Sequence, residues 1–388
     1  MTEVSLGYVP LTDAAPLIIA KELGFAQKEG ISLILTRETN WSAIRDKLSV
    51  GLIQGAHLLC PMAIAMRLGL GPIPRSIIAP IVLNLNGNTF VTSLDVARRL
   101  DEAGIGFNQP KPLGRWVIQQ GKSQAFRVGV PYPISMHATI LRYWIRSLGV
   151  DPKAVLDLRV LPPSLMREGL EAREIDAFMV GAPFGSEAAE SADAVVAMTS
   201  SAIWAAAPEK VLAIDEEWAD ANPGTGDALV RAIYNAGLWA GRNENHSVLA
   251  EILARPEYLG VGASHIEQML SGHLTLDPKG SIASVPDAIR FGGSNVSFPW
   301  QSQALWIATQ EAENWGISLG TAKAAATETF RPDIFRRAMS ETDAPLPNAS
   351  QKVEGALGRK TTVPANREMS LGPDYFFDAL VFDPALAE

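Results

Sequence analysis

The sequence predicts an α/β protein of two lobes with a helical C-terminal portion. Three observations carry that prediction: a length of 388 residues, an alternation of strand-like and helix-like segments over the first two-thirds of the chain, and a change to helical periodicity after Lys210. The length exceeds what one ordinary hydrophobic core serves and fits two lobes of common domain size, so a cleft between them is expected. Alternating strand and helix is the pattern of parallel-type sheets joined by crossover helices. A hydrophobic fraction of 47% and a charged fraction of 19% are those of a folded globular chain.

The opening unit reads as a strand, VSLGYV, followed by a helix with Asp13 as its N-cap, Pro16 in its first turn, Leu17 to Leu23 as its body and Gly24 as its stop. ISLILT is the second strand, Trp41 to Val50 the next helix, and GAHLLC an apolar strand that Pro61 ends. IIAPIVLNL (77–85) reads as a buried strand leading into a turn at Asn86, Gly87 and Asn88. A helix over 93–100, a strand FRVGV (126–130), a PYP break and a helix from Met136 to Leu148 follow. LDLRVL, a helix from Pro163 to Arg173, and DAFMVG make a complete βαβ unit. The stretch 91–210 is therefore expected as an inserted lobe II, with 1–90 and 211–388 forming lobe I.

After Lys210 the i, i+3, i+4 spacing of apolar residues predicts helices over 225–241, 245–254, 264–271, 301–315 and 321–340. From Thr342 onward the chain reads as an extended arm ending in YFFDALVF. That much aromatic surface predicts packing against the body or a partner.

Several function classes are excluded by composition and motif. A formal charge of −9 with 33 scattered basic residues does not provide the clustered cations that nucleic-acid binding needs. It leaves an anionic ligand open, because local donors rather than net charge govern a pocket. Cys60, the single cysteine, excludes an intramolecular disulfide and a multi-cysteine metal site. Phosphate-cradling GxxxxGK[ST] and GxGxxG loops are absent, as is HExxH. The one GxSxG string, GISLG at 316–320, joins two helical segments and so lacks the strand-to-helix turn of a nucleophile elbow. The five histidines have no standard zinc spacing. Glu216 and Glu217 read as helix-dipole partners rather than a catalytic pair. The expectation is a protein without cofactor, metal or catalysis. MTEVSLGYVP enters strand-like sequence without a basic n-region or apolar h-region, and no run of eighteen apolar residues occurs, so neither an export signal nor a spanning helix is expected and the predicted compartment is the cytoplasm.

Seven stretches in order, LGYVPLTDAAPLIIAKELGF, NWSAIRDKL, QGAHLLCPM, HATILRYWIRSLGVDP, VLPPSLM, DAFMVGAP and APEKVLAI, resemble the nitrate and bicarbonate binding proteins of ABC transporters (the NrtA/CmpA type), and within that group the cytoplasmic nitrate/nitrite sensors of the NasS type. The resemblance implies a type II periplasmic-binding-protein-like clamp that holds nitrate by an indole N–H, a side-chain amide, a histidine and a lysine. Trp41 in NWSAIRD, His137 in HATILRYW and Lys210 in PEK match the indole, imidazole and ammonium. Asn88 in NGN stands where the transporter proteins carry a glutamine, and Leu11, Pro163, Val180 and Gly181 match wall positions. Ala182 replaces an acid common in the transporter proteins, which together with Lys210 argues against a calcium-assisted bicarbonate site.

Elementary chemistry agrees with that donor set. A flat anion with three acceptor oxygens must trade its water shell for fixed donors and one compensating cation. His137 near a helix N-terminus adds free amides and a favourable dipole. Taken singly, each residue has a plainer reading: Trp41 as core aromatic, Lys210 as surface lysine, His137 as a helix cap, His57 as a satisfied core histidine and Cys60 as an inert thiol. Two functions follow from the resemblance. One is a cytoplasmic nitrate/nitrite sensor that releases a NasT-like ANTAR RNA-binding antiterminator when the anion binds. The other is the substrate-binding component of an ABC importer. Pyrimidine-precursor synthases related to thiamine biosynthesis share the clamp but carry a cysteine-rich run that this chain lacks.

Overall fold

The computed structural model describes residues 1–190 and 194–386. Three residues of the expected lobe II, 191–193, and the last two of the arm lie outside the described residues. The strands in chain order are β1 (Thr2–Tyr8), β2 (Ile31–Arg37), β3 (Gly55–Leu59), β4 (Ile77–Asn86), β5 (Asn88–Ser93), β6 (Phe126–Val130), β7 (Leu156–Val160), β8 (Ala177–Gly181), β9 (Ala194–Thr199), β10 (Pro208–Asp215), β11 (His273–Thr275), β12 (Ile282–Ser284) and β13 (Ile289–Phe291). A six-stranded sheet has the order β13-β4-β10-β3-β1-β2, and a five-stranded sheet has the order β7-β6-β8-β5-β9.

The βαβ units give the parallel pairs that the alternation predicts: β1 runs parallel to β2 and β3, and β6 to β7 and β8. Both sheets are nevertheless mixed. β10 runs antiparallel to β3 and β4, and β5 antiparallel to β8 and β9. The cause is the connection between sheets: β4 takes the chain out of the first sheet and β10 brings it back alongside, so the two must run in opposite directions.

The outward crossing is one residue long. Asn86 ends β4 and Asn88 begins β5, with Gly87 between them at φ 101° and Asn86 itself at φ 62°. Asn tolerates the left-handed region better than most side chains. The Asn86 amide donates to the carbonyls of Ala205 (2.9 Å) and Asp287 (3.0 Å) and accepts from the amide of Ala207 (3.2 Å). One buried side chain thus ties the outgoing strand to the returning segment and to the approach to β13. Asn88–Phe90 pair within the second sheet and Pro208–Lys210 within the first, so the crossings sit a few residues from the expected breaks at 91 and 210. Asn86→Ala should lower stability by about 2 kcal/mol, because it removes three hydrogen bonds from buried partners. Urea denaturation checks this, and a loss below about 0.5 kcal/mol, less than one ordinary bond, would contradict it.

Local structure departs from the sequence reading in three places. The first helix is Ala15–Glu22 with Ala14 as its N-cap, and Asp13 lies in a preceding 3-10 turn (Thr12–Ala14) with its carboxylate turned elsewhere. Pro61 does not stop structure after β3 but sits in the first turn of a helix, Cys60–Arg67, where its missing N–H costs nothing. The segment expected as one helix over 321–340 is two, Leu319–Thr329 and Pro332–Met339, because a residue before proline disfavours helical geometry. The other expected C-terminal helices lie at Pro223–Ala240, His246–Ala254, Ala263–Ser271 and Gln301–Trp315.

The C-terminal arm packs on the body, as its aromatic content predicts. Phe376 stacks on Trp204 (4.8 Å between centroids) and Trp306 (5.6 Å). Tyr143 donates to Asp378 (2.9 Å), and the Lys352 ammonium sits 2.5 Å from both Glu354 and Asp374. Backbone bonds from Ala205 to Tyr375 and from Phe377 to Ile203 fasten the arm to the returning segment. Among the described residues, no helix is long and apolar enough to cross a membrane.

Candidate functional site

Where the two sheets meet, four separate elements each deliver one polar side chain to the same buried point. Trp41 is the first residue of the helix Trp41–Ser49, whose start is fixed by the Asn40 side chain accepting from the Ala43 amide (2.9 Å). His137 is the second residue of the helix Met136–Arg146, capped by Ser135. Asn88 opens β5 directly opposite Gly181 of β8. Lys210 lies on β10, in register with Leu59 of β3 and Asn84 of β4. None of the four exceeds 1% exposure.

The Lys210 ammonium is the hub. It lies 2.7 Å from Asp13 Oδ2, 2.7 Å from Glu209 Oε1 and 5.5 Å from the centre of the Trp41 ring. His57 of β3 approaches the other oxygen of Asp13 (Nε2 to Oδ1, 2.8 Å) and packs its ring 5.3 Å from that of Trp41. Asn88 donates to Glu209 Oε2 (2.7 Å), and His137 Nδ1 stands 3.4 Å from Glu209 Oε1 without a hydrogen bond. The adjacent residues Glu209 and Lys210 both turn inward because β10 is irregular here, with register shifts on either side of Lys210. A regular strand would send neighbours to opposite faces.

Burial and charge work against each other throughout this cluster. Burial alone would raise the Asp13 carboxyl, but Lys210 and His57 outweigh it and hold Asp13 well below the usual carboxylate range. Burial pushes Glu209 up, and the Lys210 charge, with the hydrogen bonds from Lys210 and Asn88, offsets this only in part. Lys210 is held above its ordinary value because the two carboxylates overcome its burial. His57 is lowered by burial against the pull of Asp13, and His137 is lowered well below the ordinary value by burial and then by Lys210. Burial likewise raises the Cys60 thiol well above its ordinary value. At neutral pH the cluster holds one ammonium, an ionised Asp13 and two neutral imidazoles. Since ionised Asp13 only accepts, His57 carries its proton on Nε2.

Four residues around the hub have buried groups without a hydrogen-bond partner among the described residues: the Trp41 indole N–H, both ring nitrogens of His137, Asn88 Oδ1 and His57 Nδ1. Such groups are uncommon in a folded interior. Two of the four, Trp41 and His137, supply a donor, which suits a small molecule with several acceptor oxygens.

Of the expected wall positions, Leu11 and Gly181 stand here. A methyl group at Gly181 would lie 3.5 Å from Asn88 Oδ1, 3.6 Å from Asp13 Oδ2 and 3.6 Å from Leu11 Cδ2. Gly181→Ala therefore fits without clash. It should leave stability nearly unchanged while reducing ligand affinity by roughly tenfold, the effect of about 1.4 kcal/mol; parallel denaturation and calorimetry would check both halves. Val180 and Pro163 do not join the cluster. Val180 points to the opposite face of β8 and packs with Val91, Met166 and Phe178, as strand alternation requires. Pro163 starts a 3-10 turn and lines a separate small cavity with Met166 and Phe184. Asp13 and Glu209 were absent from the expected donor set, and His57, read as a satisfied core histidine, makes its bond to one of them. Among the described residues no group of three or more His, Cys, Asp or Glu side chains is placed to hold a metal.

Residues 1–254 match the NMT1-like family. The chain belongs to that family. This NMT1-like chain is 29% identical over 393 residues to the nitrate/nitrite binding protein NrtA of Synechococcus elongatus, spanning 98% of this chain and 83% of that protein. Its identity to NrtA of a Nostoc species is 27%, over 100% and 84% of the two chains. The nitrate import ATP-binding protein NrtC of a Synechocystis species is 34% identical over 86% of this chain, which spans about half (49%) of that longer protein. Among solved structures, the periplasmic nitrate-binding protein NrtA from Synechocystis PCC 6803 superposes with a TM-score of 0.86 at 25% identity, covering 100% and 97% of the chains. A zinc-bound ligand-binding component of an ABC-type import system from Staphylococcus aureus shares the fold, with a TM-score of 0.68 at 16% identity. The NMT1-like chain thus has the two-lobed, periplasmic-binding-protein-like α/β fold that its sequence predicts, and its full-length homologues are binding proteins, not enzymes.

Proposed function

We propose that this protein binds nitrate or nitrite between its two sheets and serves as the substrate-binding component of an anion import system. The observation that carries the reading is the convergence of Trp41, His137 and Lys210, from three distant elements, at one fully buried point. Trp41 and neutral His137 each donate one N–H to the anion, and Lys210 supplies the compensating charge. Asn88 commits its amide hydrogens to Glu209 and acts by fixing that carboxyl. Asp13, backed by His57, fixes Lys210. Leu11 and Gly181 close the wall. Full-length similarity to NrtA of cyanobacteria supports this choice of ligand and of transport class. Micromolar affinity asks for about 8 kcal/mol net, within reach of a few charge-assisted donors in a dry space.

Calorimetry with nitrate, nitrite, bicarbonate and methanesulfonate tests the reading. Nitrate or nitrite should bind in the micromolar range and the other two at least tenfold more weakly, a gap of about 1.4 kcal/mol. Heat from neither nitrate nor nitrite would sink it.

One surface feature bears on what reads the bound state. Tyr375, Leu380 and Val381 are 48%, 57% and 55% exposed on the arm segment that bonds to the returning crossing. A partner docked there would sense lobe closure directly, and an anion shifts such an equilibrium by its differential affinity for the two forms. A membrane permease fits the import reading. A NasT-like ANTAR antiterminator, with the protein in the cytoplasm, fits the sensor reading. Pull-down with and without nitrate separates them: release of an RNA-binding protein on nitrate addition would favour the sensor, and capture of a membrane component the importer.

A further inference from the structure

The cluster that is to receive an anion is not positively charged. With every acid ionised, Asp13 and Glu209 outnumber Lys210, and the site bears one net negative charge before a ligand arrives. All three side chains are 2% exposed or less, so neither water nor salt screens the repulsion that a monovalent anion meets there. Lys210 also reaches that anion with its ammonium already drawn to two carboxylates at 2.7 Å. Resting on the anion reading above, we infer that the anion enters together with one proton taken from solvent, and that Glu209 carries the proton.

The geometry selects Glu209 from the titratable groups present. Both acids are held on both oxygens, Asp13 by Lys210 and by His57 of β3, Glu209 by Lys210 and by Asn88. Glu209 differs in having beside it an unpartnered nitrogen able to accept an O–H, His137 Nδ1 at 3.4 Å from Oε1. Glu209 faces Lys210 of its own strand, Asn88 from β5, His137 from the helix Met136–Arg146, Asp13 from the 3-10 turn and, further off, Cys60 at the start of the helix Cys60–Arg67. Lys210 is the one cation in that set. Its charge is shared between the two acids at 2.7 Å each and burial keeps His137 neutral, so one acid stands uncompensated; burial holds Glu209 above its ordinary value while Asp13 is held below its own. Converting its carboxylate to a carboxylic acid forms one O–H bond at Oε1 as the solvent or buffer acid that supplies the proton gives one up, and the ammonium loses its ionic contact there. It removes the net negative charge, loosens the hold on Lys210, and places a new O–H donor beside the unpartnered Nδ1 of His137, 3.4 Å away. Lys210 then offers charge to the ligand instead of to Glu209.

The sign of the linkage follows. Where Glu209 is already protonated in the free protein, affinity is flat with pH. As pH rises through its free-state value, each bound anion must recruit a proton, and affinity falls tenfold per pH unit. Nitrate titrations by calorimetry between about pH 6 and about pH 8, in two buffers of different ionisation enthalpy, read both quantities. Proton uptake should approach one per anion at the alkaline end and fall toward zero at the acid end. Glu209→Gln should bind nitrate without proton uptake, with little pH dependence, and more tightly than the native protein at the alkaline end. Nitrate binding to the native protein with no proton uptake at any pH overturns the inference. So does uptake that persists in Glu209→Gln, which places the proton on His137, and so does affinity that depends on added sodium or calcium in place of protons. If the variant fails to fold, the two-buffer measurement on the native protein still decides. Failure of nitrate and nitrite to bind at every pH overturns the anion reading itself, a different result from binding without proton uptake.

Discussion

Lys210→Met should lower stability by about 3–5 kcal/mol and abolish anion binding, because it leaves two buried carboxylates without their cation. Methionine preserves most of the lysine volume, so the loss is electrostatic rather than a cavity effect. The ammonium is fully buried and lies 2.7 Å from each of Asp13 and Glu209. Without it, burial raises both carboxyls above their unfolded values, and the folded state holds protons that the unfolded state releases. Stability of the variant should therefore fall as pH rises through the carboxylate range, so that the deficit against the native protein is larger near about pH 8 than near about pH 5. Urea denaturation at the two pH values measures this directly. A deficit that does not change with pH would mean that the carboxylates do not depend on Lys210, and retained nitrate affinity would remove the ammonium from the ligand's surroundings.

The second large effect separates binding from stability. Trp41→Phe keeps an aromatic ring against His57 and under the Lys210 ammonium but deletes the indole N–H. That N–H is buried and has no acceptor among the described residues, so its removal offsets part of the packing lost with the smaller ring. Stability should change by no more than about 1–2 kcal/mol, the scale of a conservative core swap. Nitrate affinity should fall by about tenfold to a hundredfold, the worth of one hydrogen bond to a charged group, about 1.5–3 kcal/mol. Thermal unfolding and calorimetry on the same preparation test the pair of outcomes. Unchanged affinity would show that the indole does not reach the ligand.

Proton-linked binding has a consequence for import. A carrier that takes up one proton with each anion and gives both up together moves a neutral pair, and its loading strengthens as the surroundings acidify. The Glu209 carboxyl, rather than the donors that face the anion, would set that dependence.

Much of the fold was legible because it rests on short-range rules. Alternating apolar strands and amphipathic helices follow from local periodicity, and β1, β4, β6, β8 and the helices Pro223–Ala240 and Gln301–Trp315 fall where that periodicity places them. Local rules also misled. Asp13 has the sequence context of a helix cap, yet the charge of Lys210 and a hydrogen bond from His57, both distant in sequence, turn its carboxylate inward. Pro61 reads as a strand stop, yet in a first helical turn it is harmless. A search for donors alone passes over Glu209, because strand alternation puts a neighbour of Lys210 on the far face unless the strand is irregular at that point.

The sequence alone determined the α/β class, the helical C-terminal portion, the packed arm and the residue types suited to a small anion, since each depends on periodicity, composition or ordered family resemblance. Only the tertiary structure decided that the sheets are mixed, that Val180 and Pro163 stand away from the cluster, and that two carboxylates sit against Lys210. Those facts depend on strand direction, side-chain facing and distances between residues far apart in the chain, down to the 2.7 Å that brings Asp13 to Lys210. A Coulomb interaction falls with distance through space and takes no account of separation in sequence, so the charge balance of the site became visible only once the chain was folded.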